Sequence, residues 1–213
     1  MRPNSEPDGQ PRSFIEEARR AQIVTAAVET IAEVGYQRAS MGRIGARAGI
    51  SRGLISYHFA GKSELISQVI TTVYSDAAAF MTPMIDAEIT PVGRLRAYIG
   101  SNLEYIRAYP ARMVAIVEII TSGGLVDLPD ADPAEFDRHM LLPLEQLFVA
   151  GQESGDFRDF DVTVMARIVR SAIDLVPTAL SRDPDLDLDR YLKEITTAID
   201  HATRPLPAIA EQS

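Results

Sequence analysis

The chain has 213 residues, 46% of them hydrophobic and 24% charged, which is ordinary globular usage and excludes a collagen-like, low-complexity or wholly disordered protein. Without cysteine it forms no disulfide, iron–sulfur cluster or thiolate zinc site and has no cysteine nucleophile, and its three histidines, 58, 139 and 201, lie far apart in sequence. The net charge of −9 argues against a nucleic-acid partner on average, yet Arg38, Arg43, Arg47, Arg52 and Lys62 follow one another with no acidic residue between them.

Residues 1–13 are polar, lack an apolar segment and are expected to form a loose tail rather than a signal peptide. Apolar residues then recur at spacings of three and four almost throughout, so the chain is expected to be all-α, with about nine helices. A first helix over 14–34 places Ile23, Ala27, Ile31 and Val34 on one face and stops at Gly35. Ser40 caps a short second helix, Gly49 breaks it, and Ser51 caps a third that ends near Phe59. Gly61-Lys62-Ser63-Glu64 interrupts the chain again before a long fourth helix that is expected to run to about Met81, stopped by Pro83. Prolines then divide the rest into helices near 92–108, 111–122, 134–154, 161–182 and 187–202, before a second loose tail at 205–213.

The segment 41–59 reads as a helix-turn-helix, with apolar residues at 41, 44, 48, 50, 55 and 59 and a glycine in the turn. Helices this short are not stable alone, so packing holds their inner face and leaves the outer one free. That outer face carries Ser51, Arg52, Gly53, Ser56, Tyr57 and His58. Arginine pairs with guanine edges, glycine admits close backbone approach, and hydroxyls donate to phosphates. Lys62 and the amides opening the fourth helix offer a further anion site. The competing reading is a helical hairpin with a solvated basic face.

At Ser40-Met41, Ile44, Ala48-Gly49-Ile50-Ser51, Gly53, Ile55, His58-Phe59 and Lys62-Ser63-Glu64-Leu65 the chain resembles the TetR family of bacterial transcription regulators. The resemblance is dense over 20–66; beyond that only length and helical layout agree. It implies a DNA-binding domain over 14–62 and a ligand-binding and dimerisation domain over 63–204. It further implies a homodimer that binds a palindromic operator in double-stranded DNA, most often as a repressor, and releases it when a small-molecule effector enters the C-terminal domain. Ser40, Arg43, Ser51, Arg52, Gly53, Ser56, Tyr57, His58 and Lys62 are then the DNA-contacting residues. The order Ser56-Tyr57 departs from the family, in which an aromatic commonly stands where Ser56 is, and Gly45 replaces a common alanine.

Tyr74, Met81, Met84, Tyr98, Tyr105, Met113, Phe136, Met140 and Phe148 are candidate pocket residues, together with Phe80, because soft and aromatic side chains suit a lipophilic or aromatic effector. For any single one of them ordinary bundle packing is the stronger reading, and it is as a group that they point to such an effector. Arg94, Arg96, Arg107 and Arg112 are candidate carboxylate partners, and His139 is either a polar handle or a surface or core histidine. Met165, Ile168, Val169 and Ala172, with Leu192, Ile195 and Ile199, form stripes on the last two long helices that serve either the core or a dimer interface.

No enzyme is expected, since the chain carries no HExxH, P-loop or βαβ dinucleotide motif. Neither a cofactor nor a metal is expected. Asp183, Asp185, Asp187 and Asp189 resemble a calcium loop, but Leu188 stands where such a loop needs glycine, and Asp127, Asp130, Asp132 and Glu135 read as an acidic loop. The best apolar run, Met113–Ile120, is short and contains Glu118, so no membrane span and a cytoplasmic location are expected. The alternative function is a helical small-molecule or protein-interaction module without sequence-specific DNA binding.

Overall fold

The structure is a computed structural model that describes residues 14–128 and 132–205; the two expected tails, apart from Pro205, and Asp130 lie outside them. The described residues form ten helices and no strand: α1 (Phe14–Val34), α2 (Met41–Arg47), α3 (Arg52–His58), α4 (Lys62–Asp86), α5 (Pro91–Ala108), α6 (Pro110–Thr121), α7 (Pro133–Glu153), α8 (Val162–Asp174), α9 (Val176–Arg182) and α10 (Leu188–Thr203).

Two prolines account for the differences from the sequence-based boundaries. Pro83 does not stop α4, which runs on to Asp86. Its missing N–H removes only the bond to the carbonyl of Ala79, an exposed residue in the last turns, where the loss costs little. The expected helix over 161–182 is broken at Leu175, because Pro177 cannot donate to the Ile173 carbonyl, and this break yields α8 and α9.

Helices α1 to α3 pack on one another as a triangle that α1 seats on α4, with Ile23, Ala27, Ile31, Ile44, Ile55, Phe59, Leu65 and Ile66 wholly buried. Helix α6 lies along α1, and α4 packs on α5, which also contacts α7, α8 and α10. The buried residues form one unbroken core from Ile23 to Ile199. Helix α4 is therefore a shared strut: its N-terminal end belongs to the three-helix head and the rest to the larger bundle.

Candidate nucleic-acid interface and cavity

Helices α2 and α3 are set by their caps. The Ser40 hydroxyl accepts from the Arg43 amide at 3.3 Å and the Ser51 hydroxyl from the Leu54 amide at 3.2 Å, each satisfying an orphan N–H of a first turn. Gly49 turns the chain at φ +67°, a conformation that glycine adopts without strain. Gly45 lies where the turn folds back on α2: its carbonyl accepts from the Ile50 amide at 2.9 Å, and a Cβ there would stand 3.3 Å from the Ile50 carbonyl. Glycine here allows the two helices to close.

On the outer face, Gly53, Ser56 and Tyr57 are exposed, and Tyr57 has 72% of its surface in solvent. The Tyr57 hydroxyl reaches Glu16 at 3.4 Å, and its ring meets the His58 ring edge-on at 5.1 Å. Arg43 is exposed beside this face, reaching the Arg38 carbonyl at 3.4 Å, and Arg52 is the first residue of α3. Ser40 and Ser51 are also exposed, so the candidate residues of α2 and α3 come together on one side of the head.

Lys62 is placed differently from a solvated anchor. It is half-buried, donates to the Tyr36 carbonyl at 2.7 Å and lies 4.0 Å from the centre of the Tyr36 ring. Burial pushes its ammonium below the ordinary lysine value, with Asp127 opposing. Of the other basic residues, Arg47 is paired with Glu29 and Glu33 of α1, and Arg38 donates to the Val34 carbonyl at the end of α1.

Residues that composition and spacing did not single out hold the head together. Arg20 of α1 donates to the His58 carbonyl and, at 3.0 Å, to Glu64, while its guanidinium lies 3.9 Å over the Phe59 ring. Glu64 also accepts from the Ala60 amide at 2.7 Å, fixing the chain just ahead of α4. Gln22 donates to the Ala48 carbonyl at 2.8 Å, just before the Gly49 turn.

In the bundle, a cavity of about 630 Å³ opens between α4, α6, α7, α8, α9 and the loop 122–128. Of the candidate pocket residues, Tyr74, Met113, Phe136 and Met140 line it, and Tyr74 meets Phe136 edge-on at 5.7 Å. The others do not line it. Tyr105 is buried, bonding the Val73 carbonyl at 3.3 Å, with Phe80 packed on its ring at 5.5 Å. Phe148 packs with Phe157 and Phe160, and Met81 and Met84 lie half-buried in the last turns of α4. Tyr98 sits behind the wall, where its hydroxyl accepts from Arg170 at 3.2 Å.

Arg170 itself lines the cavity, and residue type alone did not reveal it. Its guanidinium is paired with Asp174 and reaches Asn102 at 3.4 Å. Burial opposes its charge, but Tyr98 and Asp174 outweigh burial and hold its pKa above the ordinary arginine value. Burial likewise raises the Tyr74 phenol to about 12. Arg94, Arg96, Arg107 and Arg112 lie elsewhere, each bound to an aspartate (Asp86, Asp200, Asp189 and Asp76), and His139 is an exposed histidine bonded to the Glu135 carbonyl.

The stripes of the last long helices divide. Met165 and Val169 are buried and Ala172 is half-buried, whereas Ile168 is 49% exposed. On α10, Ile199 is buried and Leu192 and Ile195 pack against the core, with the helix lying on α5. Exposed apolar side chains in this region include Val164 and Ile168 of α8 and Leu142 and Val149 of the adjacent α7. Among the described residues no helix is long and apolar enough to cross a membrane, and no cluster of His, Asp or Glu is arranged to hold a metal.

Two capped short helices joined at a glycine and mounted on a helical bundle define a helix-turn-helix head on an all-α body. Residues 23–69 match the family described as bacterial regulatory proteins, tetR family. The chain is 33% identical over 95 residues to the HTH-type transcriptional regulator BetI 1 of Chromohalobacter salexigens, covering 44% of this chain and 47% of that protein. It is 33% identical over 111 residues to BetI of Escherichia coli, covering 49% and 55%. The matches thus span about half the length of these curated relatives. Among solved structures, the ketosteroid transcriptional regulator KstR2 of Mycobacterium tuberculosis superposes with a TM-score of 0.72 over 93% of this chain and 98% of that one, at 21% identity. The fatty acid degradation regulator FadR of Bacillus halodurans gives 0.71 over 89% and 96%, at 20% identity. Over its helix-turn-helix region, residues 23–69, the chain is therefore similar to the TetR family, and over the rest it shares the fold of these neighbours.

Proposed function

We propose that the protein is a ligand-responsive transcription regulator: a homodimeric repressor that binds a palindromic operator and leaves it when a small lipophilic or aromatic molecule enters the cavity. The observation that carries this reading is the outer face of α3, where Gly53, Ser56 and Tyr57 stand exposed while the inner face is fully packed. In this reading α3 enters the major groove, Arg52 reads a base edge, and Arg43, Tyr57 and Lys62 meet phosphates. Residues 14–62 form the DNA-binding domain, and 63–204 form the ligand-binding and dimerisation domain. Acting on chromosomal DNA, the protein works in the cytoplasm and performs no catalysis.

The second copy docks on the exposed apolar face of α7 and α8 formed by Leu142, Val149, Val164 and Ile168. A two-fold dimer matches a palindrome whose half-sites lie about 34 Å apart.

The cavity's charges are satisfied internally, Arg170 by Asp174 and Asp137 by Arg167 at 2.6 Å. A ligand with a net charge meets no unpaired counter-charge there, so the effector is a mainly apolar neutral molecule with one hydrogen-bonding group for Arg170 or Tyr74. Two structural neighbours are named for ketosteroids and for fatty acid degradation.

Selection of random duplex DNA by the purified protein, with Arg52→Ala in parallel, tests the reading. Enrichment of a palindrome by the parent alone supports it, and failure of the parent to enrich any sequence at low salt overturns it. Ligand and operator must oppose each other reciprocally, so equal ligand affinity for the free and operator-bound dimer refutes the release mechanism.

A further inference from the structure

We infer that Tyr36 is a positioning residue that ties the wall of the ligand cavity to Lys62, so that displacement of the loop 122–128 is felt at the phosphate-facing end of α4. This rests on the DNA-binding reading for the role of Lys62, and it adds a route to the DNA head that runs beside α4 rather than along it.

The link is a chain of direct contacts. Gly123, Leu125 and Val126 line the cavity. The next residue, Asp127, accepts from the Tyr36 hydroxyl at 3.0 Å. The Tyr36 carbonyl accepts from the Lys62 ammonium at 2.7 Å, and its ring lies 4.0 Å from the same nitrogen. One residue thus touches the loop with its hydroxyl and the lysine with both its carbonyl and its ring. Two further contacts seat the loop on this segment. Gln37 donates to the Ser122 carbonyl at 3.1 Å, and Gly124 lies so close that a Cβ there would stand 2.9 Å from Tyr36 Cζ and 2.8 Å from the Ile119 carbonyl.

Burial makes the link stiff. Tyr36 is only 3% exposed, so packing holds its ring in place when Asp127 moves. Burial, reinforced by the bond to Asp127, pushes its phenol up to about 12, so the hydroxyl keeps its proton as a donor at neutral pH. A ligand that displaces Leu125 or Val126 therefore either draws Tyr36 along or strands a buried hydroxyl, and in both cases the seat of Lys62 changes.

The chain has two lysines, Lys62 and Lys193, so selective ¹³C labelling of lysine gives two ε-carbon signals and a readout that needs neither DNA nor an identified effector. Leu125→Ala perturbs the loop from the cavity side. It is expected to shift the Lys62 signal and not that of Lys193, and the shift is expected to shrink roughly threefold or more when Tyr36→Phe severs the link, as a coupled pair requires. Asp127→Ala, which cuts the same bond from the loop side, is expected to shrink it equally and covers the case in which Tyr36→Phe fails to fold. A Lys62 shift of equal size in the linked and severed proteins, or no shift at all, overturns the inference.

Affinity for a random-sequence duplex at low salt separates this failure from that of the DNA-binding reading. Tyr36→Phe is expected to weaken binding roughly threefold or more with Lys62 present and not at all in a Lys62→Met background. Coupled lysine signals in a protein that binds no duplex would sink the DNA-binding reading and leave the link standing. Intact duplex binding without coupled signals would sink the link alone.

Discussion

Replacing Arg20 with methionine keeps the aliphatic stem and removes a charge that holds three pieces of chain together. In the folded protein the guanidinium, whose side chain is 12% exposed, donates to the carbonyl of His58, the last residue of α3, and stacks on Phe59. A hydrogen bond from a charged group contributes about 1.5–3 kcal/mol and a partly desolvated cation–π contact about 1 kcal/mol. Glu64 is 42% exposed, so its share of the ion pair is held to about 0.5 kcal/mol or less. Allowing for non-additivity, Arg20→Met is expected to cost about 2–3 kcal/mol, the orphaned His58 carbonyl included. At roughly 2–4 °C per kcal/mol for a chain of this length, the melting temperature falls by about 5–10 °C. Urea denaturation with an unchanged slope checks the free energy, and circular dichroism checks the melt. Arg20→Lys, retaining one donor and the charge, is expected to fall between parent and methionine. A loss below about 0.5 kcal/mol would refute the clamp, because no buried hydrogen bond and ring contact together are worth so little.

Gly151→Ala is expected to destabilise by about 1–3 kcal/mol although alanine favours helix by about 1 kcal/mol, since the added Cβ overlaps the Phe157 ring; a melt at or above that of the parent contradicts it. Tyr36 and Tyr74, both with phenols raised to about 12, stay protonated in the folded state where the unfolded chain begins to ionise near pH 10. Their contribution is therefore complete below pH 10 and is lost between about 10 and 12, and denaturation midpoints across that range should decline less steeply in the Tyr36→Phe, Tyr74→Phe double variant. Ile168→Glu, on the exposed stripe of α8, is expected to give a folded monomer by sedimentation equilibrium, and an unchanged dimer mass moves the interface elsewhere.

The reading head was legible because its signals are local. Ser40 and Ser51 cap, Gly49 turns, and Ile44, Ile55 and Phe59 bury their side chains at helical spacing, all within twenty residues. The clamps were not legible, because each joins residues remote in sequence: Arg20 with Glu64, Tyr36 with Asp127, Arg170 with Tyr98. Residue type found Tyr74, Met113, Phe136 and Met140 on the cavity wall but also chose Tyr105 and Phe148, since a bundle core and a ligand pocket draw on the same side chains. Pro83 misplaced the end of α4 because a proline near a solvent-facing last turn costs one bond rather than the helix.

The length of α4 sets the mechanical sensitivity of the whole molecule. Twenty-five residues at about 1.5 Å each make a rod of roughly 37 Å. Tyr74 touches the cavity about 18 Å from Lys62, so a tilt of roughly 5° pivoting there swings the head end by about 1.6 Å. In a two-fold dimer the two ends swing in opposite senses, and the separation of the reading helices changes by about 3 Å against a half-site spacing of about 34 Å. Pro83 lies beyond Tyr74, away from the head, so the segment between Tyr74 and the head is uninterrupted helix and, on the proposed release mechanism, would work as a stiff lever that turns a small tilt into a mismatch of register on the duplex.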